Sequence, residues 1–164
     1  MPTEPSASPV SPHATAVTAA IEANKHRPGA LMPILHAIQD ALGHVPEEAV
    51  PEIAGALNLT RAEVHGVISF YHDFRSAPPG RHLMRICRAE SCQAVGAEAL
   101  ISHARSRLGV DFHGTTADGA ITLEPVYCLG NCALSPALMV GKEVFGRMTP
   151  ARFDALVDDL RRAP

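Results

Sequence analysis

Along the first half of the chain, apolar residues recur at intervals of three and four, the period of a helix with one buried face. The stretch "ALMPILHAIQDAL" sets Leu31, Leu35, Ile38 and Leu42 on one stripe, and Pro33 is tolerated because it falls in the first turn. In "PEEAVPEIAGALN", Ala49, Ile53 and Leu57 align, Pro51 must kink or split the helix, and Asn58 suits a left-handed C-terminal cap. "TRAEVHGVISFY" opens with Thr60 and, three residues later, Glu63, the reciprocal capping pattern, and carries Val64, Val67, Ile68 and Tyr71 along one side. Roughly three short helices are expected here.

"SAPPGR", residues 76–81, interrupts the helical pattern with two prolines and a glycine and reads as a linker. Beyond it the period changes. "HLMRIC" is a short strand ending at Cys87, and "GAEALISHARSRLG" is a helix with Leu100, Ala104 and Leu108 inward and Gly109 as its stop. "TTADGAITLEPVYC" holds an Asp118-Gly119 turn before a β-rich run that ends at Cys128, and "LMVGKEVFGRM" reads as a hairpin turning at Gly141-Lys142. In "TPARFDALVDDLRR", Thr149 caps a last helix, Pro150 takes its first position, and Phe153, Leu156, Val157 and Leu160 form its buried stripe. Strand, helix, strand, hairpin and helix make a small α/β layer fold with each cysteine pair just after a strand. The expected organisation is a disordered tail over 1–15, a helical segment over 16–75 and an α/β domain over 80–164.

Composition narrows the function. A chain of 164 residues with 46% hydrophobic residues can bury a real core without disulfides. The formal charge of -3 and pI near 6.3 leave no basic footprint for nucleic acid. No apolar run is long enough to insert in a membrane. "MPTEPSASPVSPHATA" has neither a basic cluster nor an apolar core, so it reads as no export or transit signal, and a cytoplasmic protein is expected.

The chemistry rests on four cysteines. In a reducing compartment they point to metal or catalysis rather than disulfides. "CRAESC" is a C-x4-C of Cys87 and Cys92, and "CLGNC" is a C-x3-C of Cys128 and Cys132. Structural zinc usually takes a C-x2-C knuckle, so both spacings are wide for a single tetrahedral ion. A two-iron, two-sulfide cluster needs two thiolates on each iron and backbone N–H groups near its sulfurs, and Gly130 lets backbone approach. The spacing is that of neither a plant-type ferredoxin nor the bacterial two-cluster run, and neither pair forms a thioredoxin dithiol. Spacing leaves open a two-iron cluster, structural zinc, or inert or redox-sensing thiols. The nine histidines are scattered, and His65 and His72, although on one face of the third helix, read as packing or partner-facing residues.

From about residue 25 onward the chain resembles a known family. "GALMPILHAIQDALGHVPEEAV" and "LTRAEVHGVISFYHDF", then C-x4-C, then "EPVYCLGNCALSP", look like the small thioredoxin-like [2Fe-2S] ferredoxin subunit of respiratory NADH dehydrogenase. Corresponding subunits occur in NAD-reducing hydrogenases and NAD-dependent, molybdenum-containing formate dehydrogenases. "CRAESCQAVGAEAL" and "EVHGVISFYHDFRSAPPGRH" look most like the formate dehydrogenase gamma subunit, and Gln93 stands where the respiratory subunit often has Trp. The resemblance implies a thioredoxin-like domain preceded by a small helical bundle, with one [2Fe-2S] cluster on Cys87, Cys92, Cys128 and Cys132. It implies two partners, an iron–sulfur subunit that binds FMN and NADH and a molybdenum-containing catalytic subunit. The family often has Ala-Pro shortly after its last ligand, where this chain has Ser135-Pro136.

The chain shows no phosphate-cradling glycine loop for a nicotinamide or flavin of its own. Under the resemblance it relays electrons and does not turn over substrate alone. Arg85 and Arg88 flank the first ligand, where positive charge favours a reduced cluster, although solvated surface arginines would read the same way.

Overall fold

The computed structural model describes residues 12–162. They form two compact units that divide between Pro78 and Pro79, inside the "SAPPGR" stretch.

The first unit is all helical. Helix α1 spans Pro12–Asn24, α2 spans Leu31–Leu42, a single 3-10 turn covers Glu47–Ala49, α3 spans Val50–Leu57 and α4 spans Arg61–Phe70. The expected tail over 1–15 is corrected at its end: α1 already begins at Pro12, and residues 1–11 lie outside the described residues. Its turns of Ala and Thr carry a weak stripe, yet Val17, Ala20 and Ile21 are buried in the unit's core. Helix α2 buries Ile34, Leu35 and Ile38 completely, while Leu31 and Leu42 are only partly covered. Its polar Gln39 is also buried and satisfied at both ends, donating to the Asp73 carbonyl at 2.7 Å and accepting the Arg75 N–H at 2.8 Å. A buried amide is tolerable only with such partners, and this one ties α2 to the chain that follows α4.

Pro51 splits its segment rather than kinking it. The 3-10 turn ends at Ala49, α3 starts at Val50, and the proline occupies the first turn, where its missing N–H costs nothing. Asn58 takes the left-handed cap at φ 54°. At α4 the Thr60 hydroxyl accepts the Glu63 N–H while the Glu63 carboxylate accepts the Thr60 N–H at 2.7 Å, closing the reciprocal cap. Of the expected α4 stripe, Val64 is buried and Val67 and Ile68 pack at the edge, but Tyr71 and its neighbour Phe70 are exposed.

The second unit is a five-stranded sheet with helices. Strand β1 spans His82–Cys87, β2 Gly114–Thr115, β3 Ile121–Val126, β4 Leu138–Val140 and β5 Glu143–Phe145, and the spatial order is β2-β3-β1-β4-β5. β1 and β3 run parallel in the centre, and every other pairing is antiparallel. Helices α5 (Glu90–Ala94) and α6 (Ala97–Leu108) connect β1 to β2, and α7 (Pro150–Arg162) closes the unit. Alternate residues of the central strands, Met84 and Ile86 with Ile121 and Leu123, share one core with Leu100, Ile101, Ala104 and Leu108 of α6 and Phe153 and Val157 of α7. That period-two burial follows from strand geometry. Gly109 ends α6 in the left-handed region at φ 70°, and Gly141 turns the β4–β5 hairpin at φ 58°. The short α5 and the two-residue β2 are elements that the hydrophobic pattern did not announce.

Candidate functional site

Because β1 and β3 are parallel neighbours in register, with Cys87 opposite Val126, they end side by side and release two loops from one end of the sheet. Each loop holds a cysteine pair. Backbone hydrogen bonds hold the exit: the Arg88 N–H donates to the Val126 carbonyl at 2.7 Å, and the Cys87 N–H donates to that of Ala137 at 3.0 Å. Cys87 is therefore fixed between β3 and the segment entering β4.

After Cys87 the chain turns into α5, whose five residues carry Cys92 back toward the sheet. Gln93 helps by donating its amide to the Arg88 carbonyl at 2.7 Å. Cys87 and Cys92 are buried with Ala97 and Ala137, and Ala89, Val126 and Leu129 pack around them. The second loop runs through Gly130, left-handed at φ 70°, whose N–H points at Cys128 Sγ from 3.3 Å. A 3-10 turn at Cys132–Leu134 follows, then a cis Ser135–Pro136 peptide. Cys128 and Cys132 are exposed.

The structure thus brings Cys87 and Cys92 together in one small buried cluster. It holds Cys128 and Cys132 on the adjoining loop, and Ser135 joins the two loops: its hydroxyl lies 3.3 Å from Cys92 Sγ and donates to the Cys132 carbonyl at 2.9 Å. Among the described residues, no group of three or more His, Cys, Asp or Glu side chains is arranged to hold a single metal ion.

The two buried thiols differ. Burial pushes Cys87 up; the Ala89 and Leu129 N–H groups oppose this, and the neighbouring Cys92 reinforces it. Burial also pushes Cys92 up, but the Ser135 hydroxyl, the Cys87 thiol and the Ala137 N–H together bring it below the ordinary thiol value. The Gly130 N–H meets Cys128 Sγ, and the backbone N–H groups of Ala89 and Leu129 act to lower Cys87 as that of Ala137 acts to lower Cys92. Donors of that kind offset negative charge on thiolate sulfur. All-thiolate donors, paired two and two and met by amides, fit a [2Fe-2S] cluster.

Of the flanking arginines, Arg88 lies over the Phe112 ring at 5.4 Å and reaches Glu98 at 3.4 Å. Arg85 is a mid-strand residue opposite Glu124. His65 is exposed, and His72 contacts the Phe70 carbonyl at 3.1 Å. Ser91 is the site residue that sequence reasoning missed. Its hydroxyl lies 3.2 Å from that of Ser135, and the available signal was its position beside Cys92.

Comparison with known proteins defines the class: this chain belongs to the thioredoxin-like [2Fe-2S] ferredoxin family, which it matches over residues 17–161, and the cofactor of that family is one [2Fe-2S] cluster. Its fold is accordingly the thioredoxin-like α/β type with helices at the N-terminus. It is 39% identical over 137 residues to a subunit of the NADH-quinone oxidoreductase of Rhizobium meliloti (strain 1021), covering 84% of this chain and 82% of that one. It is 33% identical over 132 residues to NADP-reducing hydrogenase subunit HndA of Solidesulfovibrio fructosivorans, covering 80% and 77%. Among solved structures, the air-oxidised NAD+-reducing [NiFe]-hydrogenase superposes with a TM-score of 0.69 at 26% identity over 87% of this chain, which corresponds to 24% of the hydrogenase chain. No helix among the described residues is long and apolar enough to cross a membrane.

Proposed function

We propose that this chain is the electron-relay subunit of a cytoplasmic, NAD-dependent, molybdenum-containing formate dehydrogenase, with one [2Fe-2S] cluster on Cys87, Cys92, Cys128 and Cys132. The observation that carries the ligand assignment is the pair of cysteine loops leaving the same end of adjacent parallel strands, with the Gly130 N–H turned toward Cys128 Sγ. The cluster, when bound, stores a single electron. The chain's own residues do the rest. Cys87 and Cys92 anchor one side inside a small apolar cluster that excludes water, and Cys128 and Cys132 hold the exposed side, where electrons enter and leave. Hydride chemistry moves electrons in pairs, so the partner is an FMN- and NADH-binding iron–sulfur subunit that divides them. Formate oxidation belongs to the molybdenum subunit.

The formate dehydrogenase assignment is supported by "CRAESCQAVGAEAL" and by Gln93 after the second cysteine. A second reading, the matching subunit of an NADH-quinone oxidoreductase or an NAD-reducing hydrogenase, is favoured by the relatives themselves. Tagging the chain in its host and identifying the large subunit that co-purifies separates them. A molybdenum-pterin protein with formate-dependent NAD reduction supports the first, and a membrane arm or a nickel-iron subunit replaces it with the second. Iron, acid-labile sulfide and low-temperature EPR before and after dithionite test the centre. About two irons and two sulfides per chain, with a signal on reduction, support it; one zinc without sulfide sinks it.

A further inference from the structure

We propose that the Ser135 hydroxyl, backed by Ser91, is a redox-tuning donor that turns onto Cys92 Sγ when that sulfur carries iron and raises the potential of the cluster. The inference rests on the reading of Cys92 as a cluster ligand and deepens it. A compact set of polar contacts carries it. Ser135 Oγ lies 3.3 Å from Cys92 Sγ, 2.9 Å from the Cys132 carbonyl and 3.2 Å from Ser91 Oγ, which itself lies 3.4 Å from the Cys132 carbonyl.

Counting protons decides what this network does. A hydroxyl has one hydrogen to donate. While Cys92 is a thiol, its S–H can supply Ser135 Oγ, and the serine proton goes to the Cys132 carbonyl. An iron-bound thiolate has no proton and only accepts. The Ser135 hydroxyl then faces a negatively charged sulfur on one side and a neutral carbonyl on the other, and hydrogen bonds to charged acceptors are roughly twice as strong as neutral ones.

Turning toward the sulfur orphans nothing. The Cys132 carbonyl still accepts the Ser135 N–H at 3.3 Å and has the Ser91 hydroxyl within reach. Ser91 can equally donate to Ser135 Oγ, and a chain of two hydroxyls ending on a charge is polarised along its length.

The direction of the effect follows from charge. Two ferric ions, two sulfides and four thiolates sum to -2, and one added electron makes -3. A donor on a ligand sulfur gains more from the second state than from the first, so it favours reduction. Ser135 also spans the two loops, contacting Cys92 of one pair through its hydroxyl and Cys132 of the other through both hydroxyl and N–H. An alanine before Pro136 would keep the N–H contact and lose the hydroxyl, so the hydroxyl is what Ser135 adds at this position.

The test uses the full chain purified anaerobically, as wild type, Ser135→Ala, Ser91→Ala and the isosteric pair Ser135→Thr and Ser135→Val. Iron and sulfide are measured first, then the midpoint potential by EPR-monitored redox titration, then the iron–sulfur stretching bands in H2O and D2O. Ser135→Ala is expected to make reduction three- to tenfold less favourable, tenfold being about 59 mV for one electron. Ser91→Ala shifts the midpoint the same way by less. Thr and Val differ only in the hydroxyl, so their midpoints are expected to differ in that direction even if both disturb packing, with a D2O shift in Thr that Val lacks. Equal midpoints for Thr and Val with full clusters overturn the inference alone. A wild-type chain without iron and sulfide overturns the ligand reading and this inference with it.

Discussion

Cys87 faces Val126 across the parallel pairing of β1 and β3, the last rung of that ladder. This pairing sets the loop of Cys128 and Cys132 beside that of Cys87 and Cys92, so the proposed ligand set joins sulfurs that contribute unequally to the fold. Cys128 and Cys132 are exposed and have little packing to lose. Substituting either with serine is expected to leave the metal-free chain within about 0.5 kcal/mol of the parent, as for other surface changes. The bound two-iron complement should nevertheless fall severalfold. Metal analysis beside circular dichroism checks this, and a Cys128→Ser chain with full iron and sulfide would remove that residue from the ligand set.

The second loop is also held from behind. A Cβ on Gly146 would come within 2.6 Å of Leu134 Cβ and 2.8 Å of the Leu134 carbonyl oxygen, closer than such atoms approach. Gly146→Ala must therefore push on the turn that follows Cys132, while the rest of the sheet has no cause to move. The expected result is native far-ultraviolet dichroism with reduced cluster content and faster cluster loss in air, measured as the decay of visible absorbance.

Gly66 gives the opposite case. It sits inside α4, and a Cβ there meets nothing within 4 Å. Glycine in a helix interior costs about 1 kcal/mol relative to alanine. Gly66→Ala is expected to stabilise the helical unit by up to that amount, read as a higher denaturant midpoint with an unchanged slope.

Phe153 is completely buried in the core shared by the sheet, α6 and α7, with the His103 ring against its edge. Phe153→Ala should cost about 3–5 kcal/mol, the range for emptying an aromatic site in a packed core. Denaturant unfolding of the metal-free chain measures it, and a loss below about 1 kcal/mol would show that the core collapses into the space.

The sequence disclosed these elements unevenly. Where large aliphatics formed a clear stripe, as with Leu35 and Ile38, or followed a strong start signal, as with Phe153 and Val157 after Thr149-Pro150, element and buried face could both be read. The Thr60–Glu63 cap and the Asn58 turn were legible because few residue types make them. Helix α1 was hidden by its small residues: Val17 and Ile21 are buried in the core, but Ala and Thr between them give little contrast. Tyr71 fitted its stripe and is nevertheless exposed, because α4 ends at Phe70 and the periodicity ends with it. At the site, spacing revealed two cysteine pairs, but the parallel register that sets their loops side by side is a long-range pairing no local pattern encodes. The Ser91–Ser135 contact is hidden for the same reason, its partners being 44 residues apart.

Asp118 supplies a pH-dependent contribution with a defined sign. Its carboxylate accepts the Thr116 hydroxyl and the Ala120 N–H, the latter at 3.1 Å, and pairs with Arg161 Nε at 3.2 Å. The Thr116 hydroxyl, then the Ala120 N–H, hold its pKa below the ordinary aspartate value, outweighing a small opposing effect of burial. A group whose folded pKa is lowered stabilises the fold above its unfolded pKa and loses that contribution as pH falls through the folded value. Asp118→Asn keeps an acceptor oxygen but removes the charge. The parent should therefore be the more stable of the two at pH 7, and the gap should close as the solution is taken below the usual aspartate range. Thermal unfolding of both chains across that range checks it; a gap that stays constant with pH would mean that the turn depends on the shape of the side chain rather than on its charge.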